Sequence, residues 1–257
     1  NVTEYEVLAV SPRTVKVQDP QGNITTFASA GANTTAVTDG AGNTTATGYT
    51  GGYPALWTDA NGNTTVGTYD GRGNLLSVTD ATGGVTTFIY DGGDNLLTKT
   101  NALGAAWAFT YDGKGNLTKV VSPSGAITAY SYDANGLLLS TQDGLGRTYS
   151  YTYDAFGNRT SITDPLGNAT HMSYGGQGLR LSSSADPRGN VTSYEYDGNF
   201  RLTKTIYPDG TFVRRTYGCC ALTSLEDENG NVTTYALDGL GHLTATTDAL
   251  GNTTQQA

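Results

Sequence analysis

The 257-residue sequence is poor in charge: Asp, Glu, Lys and Arg make up only 14% of it, against roughly 25% in ordinary globular domains. Fourteen Lys and Arg against 23 Asp and Glu leave a net charge of −9. The basic residues are scattered singly, so the clustered cations on which phosphate binding rests are missing and a nucleic-acid partner is excluded. There are two His, two Cys and one Met. His171 falls in a strand-like segment and His242 in a turn, with no second His or Cys near enough in sequence to give a metal-ligand spacing. No apolar run approaches the ~20 residues of a membrane helix, so membrane insertion is excluded. No initiating Met or signal peptide is seen, and the chain starts at Asn1. It reads as a processed product or a piece of something longer.

What the chain has instead is Gly and Thr, 35 and 43 residues, with 17 Tyr. Thr and Tyr suit a pleated surface and Gly suits tight reversals, so a helical protein is excluded. Tyr-Asp recurs every 21 residues, at Tyr69-Asp70, Tyr90-Asp91, Tyr111-Asp112, Tyr132-Asp133 and Tyr153-Asp154. The register continues at Tyr174, Tyr196-Asp197, Tyr217 and Leu237-Asp238. Half a repeat away lies a second marker, Asp followed three residues later by Gly and usually Asn, as in Asp59…Gly62-Asn63 and Asp164…Gly167-Asn168.

Both markers read as turns. Asp accepts hydrogen bonds from the backbone two residues on, and Gly and Asn tolerate positive φ. Between them the aromatics alternate, as in Ala106-Trp107-Ala108-Phe109-Thr110-Tyr111, which is strand periodicity. Leu stands six residues after Tyr in Leu75, Leu96, Leu117, Leu138, Leu202 and Leu243, with Arg159, Arg180 and Thr223 as departures. The fold class is therefore all-β. Tandem hairpins, each one repeat, are expected in a single array over residues 1–257, with residues 1–68 divergent and 69–257 regular. In the divergent part Phe27-Ala28 and Tyr49-Thr50 stand where Tyr-Asp is expected. About 23 strands would make an antiparallel ribbon too wide to stay flat, so it must coil, spiral or stack. The Tyr-x-Tyr and Leu positions should share one face.

Tyr111-Asp112-Gly113-Lys114-Gly115-Asn116-Leu117 and Tyr153-Asp154-Ala155-Phe156-Gly157-Asn158-Arg159-Thr160 resemble the YD repeat of bacterial RHS proteins, teneurins and insecticidal toxin-complex shells. The resemblance runs from residue 69 to about 252 and implies a β-ribbon spiralling into a hollow shell. In RHS toxins and toxin complexes that shell encloses a C-terminal toxic polypeptide. The family's closing segment, with its Asp-Pro-rich plug and autoproteolytic carboxylates, has no counterpart among these residues. A slice of a shell, or a stand-alone user of the repeat, is expected.

Candidate chemistry is sparse. Cys219-Cys220 reads either as a buried reduced pair or as a vicinal disulfide bracing its turn. The loops Asp59–Asn63 and Asp227–Asn231 are oxygen-rich but lack EF-hand spacing, and turn capping accounts for them without calcium. Asn-x-Thr sequons at Asn23, Asn33, Asn43, Asn63, Asn116, Asn158, Asn168, Asn190, Asn231 and Asn252 arise mostly because a turn Asn precedes a Thr-rich strand. They are acceptors only in a glycosylating compartment. Rows of Tyr and Trp such as Trp57, Trp107, Tyr149 and Tyr151 read as cross-strand ladders, with glycan binding as the alternative.

The expected function is non-enzymatic, structural and extracellular or at the cell surface, without cofactor or metal. Asn1–Val7 copies Asn190–Tyr196 closely, and Thr253–Ala257 starts a strand that stops short of its Tyr. Both ends thus cut through a hairpin and offer strand edges. Val2, Tyr5, Val7, Thr253, Thr254 and Gln255 are the candidate interface for head-to-tail self-assembly into a filament. The alternatives are a fragment of a larger toxin-enclosing shell, whose adjacent repeats supply the missing strands, and a carbohydrate-binding surface module.

Overall fold

The computed structural model describes residues 4–10, 13–30, 33–176 and 180–255. By contacts the chain divides into two compact units, Asn1–Thr128 and Ala129–Ala257. The division does not fall at the change in sequence regularity near residue 68. The first unit holds β1 (Glu4–Val10), β2 (Arg13–Gln18), β3 (Ile24–Ala30), β4 (Asn33–Thr38), β5 (Thr44–Thr50), β6 (Tyr53–Thr58), β7 (Thr64–Tyr69), β8 (Leu75–Thr79), β9 (Val85–Tyr90), β10 (Leu96–Thr100), β11 (Ala106–Tyr111) and β12 (Leu117–Val121). β13 (Ile127–Tyr132) crosses the division. Then come β14 (Leu138–Gln142), β15 (Thr148–Tyr153), β16 (Arg159–Thr163), β17 (Ala169–Gly175), β18 (Arg180–Ala185), β19 (Val191–Tyr196), β20 (Leu202–Ile206), β21 (Phe212–Tyr217), β22 (Leu222–Glu226), β23 (Val232–Leu237), β24 (Leu243–Thr247) and β25 (Thr253–Gln255). In each unit every strand pairs antiparallel with its neighbour in sequence, so the tandem-hairpin ribbon expected from the repeat is the fold.

The two faces differ because side chains alternate. In each regular hairpin the Tyr lies opposite the Leu: Tyr69 and Leu75, Tyr90 and Leu96, Tyr111 and Leu117, Tyr132 and Leu138, Tyr196 and Leu202. Lys99 lies opposite both Phe88 and Trp107, which carries the aromatic face from β9 to β11. Tyr130, Thr141 and Tyr149 do the same from β13 to β15. Tyr90 and Tyr111 therefore share a face within the first unit, as do Tyr132 and Tyr153 within the second. The opposite face is small and hydroxylated, with cross-strand pairs such as Thr68 to Ser77, Ser131 to Ser140 and Thr152 to Ser161, each at 2.7 Å. These pairs give the abundant Thr a structural use.

Each regular hairpin carries a β-bulge at the residue after the Leu, where the register skips Leu97, Thr118, Leu139 and Thr203. At Thr118, Thr203 and Ser182 the hydroxyl of the skipped residue donates back across the pair. Thr118 Oγ1 reaches the Thr110 carbonyl at 3.0 Å, Thr203 that of Glu195 at 3.1 Å and Ser182 that of Ser173 at 3.0 Å. The bulge leaves backbone groups off the ladder, and the hydroxyl satisfies one of them.

Three register expectations are corrected. Tyr174 pairs with Leu181, seven residues on, and Arg180 lies opposite Gly175. Tyr217 pairs with Leu222, five residues on. Arg180 and Thr223 are thus neighbours of displaced Leu residues, because one turn is longer and the other shorter than the norm; only Arg159 replaces the Leu, opposite Tyr153. In the divergent part Ser29, opposite Thr34, takes the Tyr slot, and Phe27 lies two residues earlier on the same face. Tyr49, by contrast, occupies the Tyr slot as expected, opposite Pro54, but is followed by a different turn. Thr50 pairs with Tyr53 around Gly51 and Gly52, both at positive φ (59° and 88°), which is the two-residue type I′ reversal.

Candidate functional site

The recurring chemical unit is the turn. At Asp112 the chain reverses through a bond from the Gly115 amide to the Asp112 carbonyl (3.1 Å), and the Asp112 amide bonds the Asn116 carbonyl (2.9 Å). Gly115 sits at φ 83°, where a side chain would be strained, as in a three-residue hairpin loop. The Asp112 carboxylate then clasps the loop. One oxygen accepts from the Lys114 and Asn116 amides at 2.8 and 2.9 Å, and the other from the Asn116 side-chain amide at 2.9 Å. Both ends of the hairpins use this clasp, as at Asp19, Asp59, Asp164 and Asp248. The bond from the amide two residues on was expected; the second amide and the Asn side chain were not. With N–H donors on both oxygens, the carboxylates are held below the ordinary aspartate range, chiefly by the Asn side chain.

The exceptions to the turn rule connect repeats. Asp94 and Phe200 occupy the Gly slot at φ 66° and 67°. Asp94 accepts from Asn74 at 2.6 Å and pairs with Arg72 at 3.1 Å, and Arg72 also donates to the Gly92 carbonyl at 2.8 Å. The Arg180 guanidinium lies 3.5 Å from the Phe200 ring centroid and donates to the Asp197 carbonyl at 3.2 Å. Arg201, paired with Asp197 at 2.7 Å, reaches the Gly218 carbonyl at 3.0 Å and stacks over Tyr217. These arginines tie one Tyr-Asp turn to the next. Of these the repeat motif marked only Arg180, and only as a departure from Leu.

The repeat tyrosines have a longer-range task. Tyr69 donates to the Pro54 carbonyl and Tyr153 to the Leu138 carbonyl, both at 2.8 Å, while Tyr174 reaches Arg159 and Tyr217 reaches Leu202 at 3.1 Å. Each bond spans 15 residues and reaches back to the preceding hairpin. Tyr49 makes the same bond to Thr34 at 3.3 Å, which places the divergent repeats in the same scheme.

The sheet surface carries shallow clefts. One, of about 710 Å³, is lined by Tyr53, Leu56, Val66 and Tyr69; Tyr53 and Tyr69 stack there with centroids 5.2 Å apart. The aromatics of the glycan alternative are partly covered: Arg159 sits 4.9 Å from the Tyr151 ring and Lys99 5.6 Å from that of Trp107. Tyr149 is exposed.

Cys219 and Cys220 are exposed free thiols, which removes the buried reading. Of the sequon residues, Asn23, Asn43, Asn63, Asn116, Asn158, Asn168, Asn190, Asn231 and Asn252 have their side-chain nitrogen engaged by a turn Asp. Asn33 opens β4 outside such a turn. His242 takes the Asn place in its turn, with Nδ1 3.0 Å from Asp238, and His171 lies in β17 opposite Ser161. Among the described residues no three His, Cys, Asp or Glu converge as a metal site, and no helix is long and apolar enough to cross a membrane. Of the candidate interface residues Val2 lies outside the described residues. Tyr5 and Val7 pair with Val17 and Val15 of β2, and Thr253, Thr254 and Gln255 pair with Thr247, Thr246 and Ala245 of β24.

Comparison with known proteins agrees with this geometry. No curated protein sequence matches. Crystal structures described as TcdB2-TccC3-Cdc42 and TcdB2-TccC3-TEV superpose with a TM-score of 0.65 at 16% identity, covering 93% and 92% of this chain and 15% of each of theirs. TcdB2-TccC3 without its hypervariable C-terminal region gives 0.52 at 16% identity over 99% of this chain and 19% of its own. The chain thus spans less than a fifth of each of these three structures, and the likeness is one of fold. The family model described as RHS Repeat matches residues 55–85, 69–106, 90–127, 111–147, 132–169, 174–211 and 221–253. With its motif matched over more than half its length and its hairpins built on that motif, the chain belongs to the RHS repeat family.

Proposed function

We propose that this chain is a length of wall in a larger RHS-type shell, a non-enzymatic structural part of a secreted or cell-surface protein whose interior holds a polypeptide cargo. The observation that carries this reading is the absence, among the described residues, of any buried hydrophobic side chain. Each unit is a single layer of sheet whose aromatic face remains half open. The turn tips add Leu103, Leu145, Leu166 and Leu250, which are 80–92% exposed. Sheets are ordinarily stabilised by a second layer over the apolar face, and exposed apolar surface of this extent marks an interaction surface. More of the same wall, or the contents of the shell, would supply the cover. The fold likeness to TcdB2-TccC3 supports the same reading.

The test is electron microscopy with limited proteolysis of the polypeptide that carries these repeats. Hollow particles whose enclosed segment survives protease until the wall is denatured would support the proposal. Particles without an interior, and a segment cleaved as fast as a free peptide, would overturn it.

A second reading is head-to-tail filament assembly, in which the backbone groups of an edge strand of one copy pair with those of another. Under that reading the 257-residue chain forms fibres whose growth is stopped by Thr254→Pro, since Pro cannot donate to a ladder. A chain that stays monomeric at high concentration counts against it.

A further inference from the structure

We propose that Cys219 and Cys220 form a redox-operated clasp, an exposed vicinal dithiol that a low-molecular-weight disulfide such as glutathione disulfide converts reversibly to a Cys219–Cys220 disulfide. The turn that bears them is the place for it. Tyr217 reaches its Leu partner in five residues, so the loop is one residue shorter than the norm. Gly218 stands where the clasping Asp stands in other repeats, and the loop closes on a bond from the Gly218 amide to the Ala221 carbonyl at 2.9 Å. A glycine offers no carboxylate to gather the loop amides. The hairpin of β21 and β22 thus lacks the device that fixes its neighbours, and two thiols stand in the gap, both open to solvent.

The chemistry balances without another group. The Cys219 thiolate attacks one sulfur of the small disulfide, giving a mixed disulfide and releasing one small thiol. The Cys220 thiolate then attacks the Cys219 sulfur, closes the ring and releases the second small thiol. The protein loses two protons and two electrons, which the two released thiols carry away. Cys220 holds its proton above the ordinary thiol range because it is hydrogen-bonded to Cys219 and faces the charge Cys219 would acquire. The two sulfurs are interchangeable in these steps, since either thiol can make the first attack and the other resolve. Consecutive Cα atoms lie about 3.8 Å apart across a trans peptide, less than the usual span of roughly 4.4–6.8 Å across a disulfide. The closed form is therefore strained and readily reduced, which marks a switchable bond more than a permanent brace. Closure would stiffen the turn whose Gly218 carbonyl receives Arg201 from the preceding repeat.

The test uses the purified full chain titrated with mixtures of oxidised and reduced glutathione, read by intact mass and thiol count. The expected product has lost both thiols and two hydrogens, carries no glutathione and is monomeric, exceeding the mixed disulfide by about tenfold because the second thiol acts intramolecularly. Cys220→Ser should stop at the mixed disulfide, and excess reduced glutathione should reopen the closed form. Amide exchange across residues 217–222 should slow on oxidation of the native chain and stay unchanged in a Cys219→Ser, Cys220→Ser double variant. Stable glutathione adducts or intermolecular dimers in the native chain would overturn the proposal.

Discussion

At the scale of single residues the chain depends on a few repeated hydrogen bonds. Asp112→Ala removes the acceptor for the Lys114 and Asn116 amides while leaving neighbouring turns intact. Exchange of those two amides should accelerate on the order of tenfold, the weight of a net hydrogen bond or so, with little change at Asp91 or Asp133. The same carboxylates set the acid limit. Their folded-state values are depressed, first by the Asn side chain, at Asp19, Asp70, Asp91, Asp112, Asp186 and Asp227. The unfolded state then binds protons more readily. Stability from the clasps is therefore complete above the unfolded aspartate value of about 3.9 and is lost as pH falls below it through the folded values. Denaturant midpoints measured between neutrality and strongly acidic pH should stay level and then fall, and Asp→Asn substitutions at several turns should flatten the fall. Tyr153→Phe deletes the bond to the Leu138 carbonyl at 2.8 Å and should lower stability by about 0.5–1.5 kcal/mol. Tyr153→Ala should cost less than the roughly 3–5 kcal/mol of a fully buried ring, because this one is only half buried.

At the scale of the hairpin, turn chemistry and strand period were legible because each is local: Asp, Gly and Asn act within five residues, and alternation is visible in any strand. The bulge was not legible. It falls on Leu97 or Leu139 as readily as on Thr118 or Thr203, and only the pairing shows that the residue after the Leu is skipped. The displaced Leu181 and Leu222 were missed because a fixed offset of six was carried through turns of unequal length. The arginine ties and the Tyr bonds across 15 residues depend on which turns lie side by side, which spacing alone does not specify. Two substitutions check the element-level reading. Thr118→Val keeps the shape of the bulge residue but removes its donor to the Thr110 carbonyl, for an expected loss of about 1 kcal/mol. Gly52→Val forces a β-branched residue to φ 88° and should cost about 1–2 kcal/mol, whereas Gly52→Asn, tolerant of that region, should be much milder. Thermal or denaturant unfolding of each variant decides between these outcomes.

At the scale of the molecule, strands contact their neighbours in sequence, and stability should be close to a sum over repeats and their junctions. Excising residues 133–153 joins Tyr132 to Asp154 and keeps the motif in phase. The shortened chain should retain its β-sheet circular dichroism and unfold within a few degrees of the parent, while removal of 10 or 11 residues, about half a repeat, should not be tolerated. The clasp also governs how the protein grows old. Asparagine is lost over time when its side chain is attacked by the next backbone nitrogen, most readily when glycine follows. In these turns the order is Gly then Asn, the next residue enters a strand, and the side-chain amide is tethered to Asp, as Asn116 is to Asp112. The exceptions are Asn61-Gly62, Asn135-Gly136 and Asn229-Gly230, where the Asn precedes the glycine inside the loop. A preparation kept for months at neutral pH should accumulate its deamidated peptides at those loops, while the much larger set of clasped asparagines stays intact.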